Sequence, residues 1–307
     1  MIDLRKITTE KRNVRTFDID NMETLDVCRA INEEDKSVPS AVEKVLPQIA
    51  KAVDAVAARL QHGGRMFYAG AGTSGRLGVL DAAECPPTYG VPADMVQGII
   101  AGGRQAMFVS QEGAEDSEEA AAADLAERGL TAKDAVVALA ASGRTPYAAG
   151  ALRYAKKQGA LTVSVTCSAD SLLSSYAEIA VEAVTGPEVI TGSTRMKAGT
   201  AQKLILNMLS TAVMIKLGKV YQNLMVDVRA SNAKLRERAR RIVMEAAEVD
   251  AERADLLLAA AGGRAKPAIV MQLLHVELAA AEELLRSNGG SVRRISSVKQ
   301  QNNTVYE

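Results

Sequence analysis

Hydrophobic positions along this chain change their period twice. From Ser40 to Gln61 they recur at helical spacing (Val42, Val45, Leu46, Ile49, Val53, Val56, Leu60) and stop at Gly63 and Gly64, which predicts an amphipathic helix with a glycine stop. Short apolar runs separated by helical stretches come next. Strands are predicted at Arg65 to Tyr68, Asp94 to Ile100, Ala135 to Ala140, Leu161 to Thr166 and Ile179 to Val184. Helices are predicted through Leu77 to Ala83, over Asp116 to Glu127 and Tyr147 to Lys157, and over the long stretch Met196 to Leu217, whose wide apolar surface suggests burial against a second subunit. Strands that are apolar on both faces and alternate with helices belong to a parallel sheet covered on both sides. Residues 1 to 39 are polar and read as an arm with one short helix. Beyond about Asn223 only helical patterns remain: a charged helix from Ala233 to Val249, then Ala/Leu-rich helices broken at Gly262–Gly263 and Gly289–Gly290. The expected fold class is α/β, a three-layer sandwich with a mostly parallel sheet flanked by helices, plus a small C-terminal all-helical domain. Residues 1–235 are assigned to the arm and α/β domain, and 236–307 to the helical domain.

Composition narrows the function. A chain of 307 residues, 48% of them hydrophobic, can bury a large core. Its 37 basic and 37 acidic residues cancel, so no global field recruits nucleic acid or an acidic membrane. Trp is absent and Phe scarce, which removes the platforms on which single-stranded bases stack. The start, MIDLRKITTEKRN, has no apolar core for a signal peptide, and the run Leu204 to Leu217 is interrupted by Asn207 and Lys216 and too short to span a bilayer. Cys28, Cys85 and Cys167 are odd in number and form no CxxC, which suits a reducing compartment and argues against structural zinc. The two histidines are too few for a His-rich metal site. His62 reads as a helix C-terminal cap and His275 as a core or interface residue.

The densest chemistry lies in AGAGTSGRLGVLDAAECPPTYG, Ala69 to Gly90. Gly70, Gly72 and Gly75 match G-x-G-x-x-G after a strand and before a helix, which fits a dinucleotide or a phosphomonoester. Asp94 starts the following strand instead of ending it, so the ribose-binding acid of a dinucleotide site is missing. A second loop of the same kind, Ser142-Gly143-Arg144-Thr145, follows another predicted strand. In an open α/β sheet two such loops meet at the switch-point crevice. Backbone amides at a helix start, helped by hydroxyls, would cage a sugar phosphate there. The stretch TGSTRMKAGT offers a third wall. The candidate binding residues are Thr73, Ser74, Gly75, Ser142, Gly143, Thr145, Ser193, Thr194 and Lys197. Arg76 and Arg144, one in each loop, suit either an anion contact or solvent.

With these motifs stand TEKRN, EGAED at Glu112 to Asp116, AASGRTPY, TGSTRMKAGTAQKLILNMLS and GKVYQNLMVDV. Over essentially its full length the chain resembles the bacterial N-acetylmuramic acid 6-phosphate etherases of the sugar isomerase (SIS) superfamily. AECPPT together with EGAED is the specific part, since the wider superfamily shares only the two hydroxyl loops. The resemblance implies the SIS fold, a cytoplasmic homodimer, no metal or nucleotide cofactor, and a small amino-sugar phosphate as partner in place of nucleic acid or membrane. It implies hydrolytic cleavage of a D-lactyl ether, giving N-acetylglucosamine 6-phosphate and D-lactate in cell-wall recycling. Glu84 then matches the family's acid and Glu115 its second catalytic carboxylate.

The chemistry is consistent with these residue types. Opening the sugar to its aldehyde acidifies the hydrogen on the acetamido-bearing carbon; its removal expels lactate from the next carbon, and water adds to the resulting enal. One base, one acid and a grip on the phosphate suffice. Glu84 is expected at a helix end, where the negative dipole end favours the protonated form, and Glu115 just before a helix, where the positive end favours the carboxylate. Glu84 is therefore read as proton donor and Glu115 as base. Cys85 reads as a pocket or core thiol. Two other classes use the same crevice: a non-enzymatic sugar-phosphate sensor, with the helical C-terminus as its interaction module, and an aldose–ketose isomerase. Release of lactate separates them from an etherase.

Overall fold

The computed structural model describes residues 8–228 and 233–296. Two compact units make up the chain, one of Met1–Ala83 and Ala93–Thr211, the other of Glu84–Pro92 and Ala212–Glu307.

The first unit is built on five parallel strands: β1 (Met66–Gly70), β2 (Val96–Ile100), β3 (Ala135–Ala140), β4 (Leu161–Thr166) and β5 (Ile179–Glu182). Their order is β2-β1-β3-β4-β5. Every residue of β1, β3 and β4 is buried, which is why these strands read as unbroken apolar runs. Around the sheet and in the arm lie α1 (Thr24–Asp35), α2 (Ser37–Glu43), α3 (Leu46–Gln61), α4 (Gly72–Tyr89), α5 (Glu118–Glu127), α6 (Pro146–Lys157), α7 (Leu172–Tyr176) and α8 (Lys197–Lys216). The single helix expected from Ser40 is two. Pro47 lacks an amide hydrogen and fits only a first turn, so it opens α3. The arm likewise holds more than one short helix, with 3-10 turns at Thr8–Glu10, Val14–Thr16 and Ile19–Asn21 before α1.

In this strand order the connection from β1 goes to one side and that from β3 to the other, so their carboxyl ends flank the switch point. Register sets them level: Gly70 lies opposite Ile100 on one side and Leu139 on the other. Helix α4 packs on this region at a distance that admits no side chain. A Cβ on Gly75 would stand 2.6 Å from the Gly70 carbonyl oxygen, one on Gly78 2.8 Å from Tyr68 Cβ, and one on Gly98 2.4 Å from Val79 Cα. A polar clasp holds the same helix. Tyr68 Oη donates to Asp81 Oδ2 at 2.8 Å and Ser210 Oγ to Asp81 Oδ1 at 3.1 Å, joining β1, α4 and α8. Burial pushes the Asp81 carboxyl up to about 6, against the pull of those two donors.

The second unit carries α9 (Ala233–Ala247), α10 (Ala251–Ala260), α11 (Ala265–Leu274) and α12 (Leu278–Ser287), preceded by an antiparallel ribbon of β6 (Val220–Tyr221) and β7 (Leu224–Met225). Its own core includes Val243, Ala254, Ile269, Val270 and Ala281. His275 is not a core residue. It is exposed and ends α11 in a left-handed conformation, φ 55°, where a longer helix was expected. His62 does cap its helix, its Nδ1–H donating to the Ala58 carbonyl at 2.7 Å. Among the described residues no helix is long and apolar enough to cross a membrane.

Two outcomes test this packing. Gly98→Ala forces a methyl group against the α4 backbone and should cost about 1–3 kcal/mol in denaturant unfolding. Asp81 releases its proton at higher pH in the folded state than in the unfolded one, so its burial penalty is full above about pH 6 and relieved as pH falls toward 4. Asp81→Asn should therefore gain stability relative to the parent at about pH 8 compared with about pH 4, by up to roughly 3 kcal/mol. A pH-independent difference would contradict this assignment.

Candidate active site

A cavity of about 330 Å³ opens at the switch point of the first unit. Gly72, Thr73 and Ser74 line it from the start of α4, and Ser142, Arg144 and Thr145 line it from the loop between β3 and α6. The first helical bond of α4 is Gly75 N–H to the Ala71 carbonyl at 3.1 Å, so the amides of Gly72, Thr73 and Ser74 lie outside the helix's own ladder. Helix α6 begins in the same way, with Thr145 at its N-cap, no side-chain cap and Pro146 in its first turn. Two helix N-termini thus open onto one cavity, an arrangement suited to an anion.

Carboxylates complete the walls. Glu115 and Asp116 belong to a 3-10 turn, Ala114–Asp116, introduced by Gly113 in a left-handed conformation and followed by the N-cap Ser117 of α5. Glu115 also borders a second cavity of about 260 Å³, which shares Ala71 and Gly72 with the first and has Arg76 in its wall. The Arg76 guanidinium donates to the Ala106 carbonyl at 2.7 Å and the Met107 carbonyl at 3.1 Å.

Of the residues expected from sequence, Thr73, Ser74, Ser142, Thr145, Thr194 and Glu115 meet at this crevice. Ser74 is nearly buried and its hydroxyl donates to Gln202 Oε1 on α8 at 2.9 Å, so its side chain locks the loop. Gly75 and Gly143 do not line the cavity. Gly75 lets α4 approach β1, and Gly143, at φ 69°, leaves room for Ser171, whose Cβ a Gly143 Cβ would meet at 2.3 Å. Ser193 is not in the wall either. Glu10, Asp116 and Arg144 are, although sequence reasoning did not select them. Only the return of the arm onto the sheet brings Glu10 there, and no local signal encodes that.

Lys197 is a clear correction. Its ammonium is buried and pairs with Glu34 Oε2 of α1 at 2.6 Å, while Arg15 meets the other oxygen at 2.6 Å. Burial would push the Glu34 carboxyl up, but the two cations together hold it below its ordinary value. The N-terminus of α8 is likewise occupied. The buried Glu188 carboxylate accepts from the amides of Lys197 at 3.0 Å and Ala198 at 2.9 Å. Its carboxyl is held above the usual range by burial, against those two amides.

Glu84 is also placed differently from expectation. Helix α4 does not end there but continues to Tyr89 with Pro86 and Pro87 inside it, so the dipole argument for a protonated Glu84 loses its basis. Glu84 is exposed and is not among the residues that line the crevice. Cys85 beside it is buried, a core thiol. Among the described residues, no three His, Cys, Asp or Glu side chains are grouped so as to hold a metal ion.

The doubly wound sheet, with hydroxyl-bearing loops after β1 and β3, is that of a sugar isomerase, or SIS, domain. Residues 106–212 match the model of the SIS domain, and 48–156 match that of the glucokinase regulatory protein N-terminal SIS domain. The chain belongs to the N-acetylmuramic acid 6-phosphate etherase family. It is 55% identical over 293 residues to the etherase of Clostridium beijerinckii, covering 95% of this chain and 96% of that one. It is 57% identical to that of Streptomyces coelicolor, covering 94% and 93%, and 55% identical to that of a Geobacillus species, covering 95% and 99%.

The Lys197 geometry makes a test. Lys197→Met leaves the buried Glu34 carboxylate with the exposed Arg15 as its remaining cation and should lower unfolding stability by up to about 3–5 kcal/mol. The phosphate affinity of the protein that remains folded should stay within about twofold of the parent, since a uniform loss of packing does not single out the site. A selective loss of phosphate binding without destabilisation would return Lys197 to the site.

Proposed function

We propose that this chain is a carbon–oxygen lyase that cleaves the D-lactyl ether of N-acetylmuramic acid 6-phosphate in the cytoplasmic recycling of cell-wall amino sugars. The observation that carries this reading is Glu115, which borders a crevice between two open helix N-termini. In this reading the phosphate sits on the amides of Gly72, Thr73 and Ser74 and on the Ser142 and Thr145 hydroxyls. Thr194 closes the wall. With the phosphate fixed, the opened sugar presents its acetamido-bearing carbon to a base. Glu115 takes that hydrogen, the electrons expel lactate from the neighbouring carbon, and water then adds to the enal to give N-acetylglucosamine 6-phosphate. Holding the substrate by its phosphate beside the base makes proton abstraction effectively intramolecular.

The proton donor for lactate is Glu84, delivered by a second copy of the chain. Two features support this. Glu84 does not line the crevice of its own chain. It is exposed, and its neighbours on the same helix face, Leu80, Ala83 and Pro87, are exposed as well, Leu80 by 54%. In this reading an isologous twofold pairing covers this face and sets each Glu84 at the other copy's crevice.

Three measurements test the scheme. Glu115→Ala should abolish exchange of the substrate's α-hydrogen with heavy water, and Glu84→Ala should retain exchange while losing lactate release; each loss of turnover is expected at about a hundred- to ten-thousand-fold. Mixing the two inactive variants should restore activity toward about a quarter of the parent, because heterodimers regain one intact site. Exchange retained by Glu115→Ala and lost by Glu84→Ala would reverse the roles, and absence of complementation would refute a shared site.

A further inference from the structure

A cavity of about 860 Å³ lies in the second unit. It falls in the range of small-molecule sites, roughly 300–1,000 Å³. Its walls carry five cations, Lys219, Arg236, Arg264, Lys266 and Arg286, and two carboxylates, Asp227 and Glu282. The pairing is uneven. Arg264 meets Glu282 at 2.5 Å, and Arg286 pairs with Glu283. Lys219 and Lys266 share the single carboxylate of Asp227, the first at 3.2 Å and the second in direct contact. Arg236 makes no ion pair among the described residues. The cavity therefore holds two positive charges that no neighbouring carboxylate balances.

The cationic wall is also partly desolvated. Lys266 is only 6% exposed, and its ammonium sits beside both the carboxylate and the second lysine. Burial pushes this amine below its ordinary range, with Lys219 adding to the effect and Asp227 opposing it. Two ammonium groups confined around one carboxylate repel each other, and an incoming anion would relieve that repulsion. Helix α11 adds to the same wall. Its N-cap is Arg264, which has no acceptor to offer the first-turn amides, and Ala265 and Lys266 of that turn line the cavity.

We propose that this cavity is a second anion site, separate from the crevice, that takes a phosphate monoester dianion. The charge of such a ligand matches the two unbalanced cations, and the volume leaves room for the organic group it carries. Lys219, Lys266 and Arg236 would bind the phosphate and Asp227 would orient the two lysines. This inference is independent of the reaction proposed for the crevice.

The test is a titration of the full chain with inorganic phosphate, followed calorimetrically at constant ionic strength held with chloride. Two phosphate equivalents per chain are expected. Arg236→Glu, at an exposed position without an ion pair, and Lys219→Gln should each weaken one equivalent by about tenfold or more, as loss of a charge-assisted contact does. Lactate release should be unchanged in both. Thr145→Val should weaken the other equivalent only. A single equivalent that responds to Thr145→Val and not to the helical-unit variants would overturn the inference. A single equivalent with the opposite response would uphold it and count against the crevice as a phosphate site.

Discussion

The site depends on how closely α4 lies against β1 and β2. Gly75, Gly78 and Gly98 each remove a Cβ that would stand within 3 Å of backbone or of an immovable side-chain root. That approach brings the start of α4 level with the carboxyl end of β1, so the amides of Gly72 to Ser74 arrive where the loop after β3 also arrives. A larger residue at any of the three positions would lift the helix and separate the two loops. The Tyr68–Asp81–Ser210 clasp and the Ser74–Gln202 bond hold the helix down from the outside. Asp81 is partly buried at a cost in stability, which the fold accepts to hold α4 beside the crevice.

Competition for helix N-termini explains which parts of the crevice remain free. Helices α4 and α6 start at the crevice without an internal cap, and α8 starts three residues after Thr194. At α8 the buried Glu188 carboxylate already occupies the position a phosphate would take. The crevice wall itself has more carboxylates than cations, with Glu10, Glu115 and Asp116 against Arg144. A site for an anion with such walls must draw its affinity from oriented backbone amides more than from net charge. Among the described residues Glu115 makes no ion pair, which fits the role of base proposed for it.

Much of the fold was legible because burial is written into composition. Strands β3 and β4 coincide with their predicted limits, every residue in them being buried. The misreadings have physical causes. Pro86 and Pro87 look like a helix stop, since each lacks an amide hydrogen and crowds the carbonyl four residues before it, yet the helix runs through both. The chain stays helical to Tyr89 while the Ala82 and Ala83 carbonyls go without their usual partners. Lys197 sits among hydroxyls in the sequence, as a phosphate ligand would, but its partner Glu34 lies 163 residues away. Glu10 depends on the path of the arm. His275 ends its helix in a left-handed conformation that glycine usually supplies, so the break carried no glycine signal.

The two glutamates differ in how each acquires its setting. Glu115 receives its place from one chain, through a turn that Gly113 makes possible and the N-cap Ser117 fixes. Glu84 stands in the body of a helix, exposed, with exposed Leu80 four residues before it and Pro87 three residues after it. A lone exposed leucine is ordinary on a protein surface. A carboxylate between two apolar groups on one helix face is different, because covering that face removes water from the carboxylate and from its neighbours together. Under the proposed pairing Glu84 reaches a crevice only when two copies assemble, whereas Glu115 stands at its crevice in a single chain.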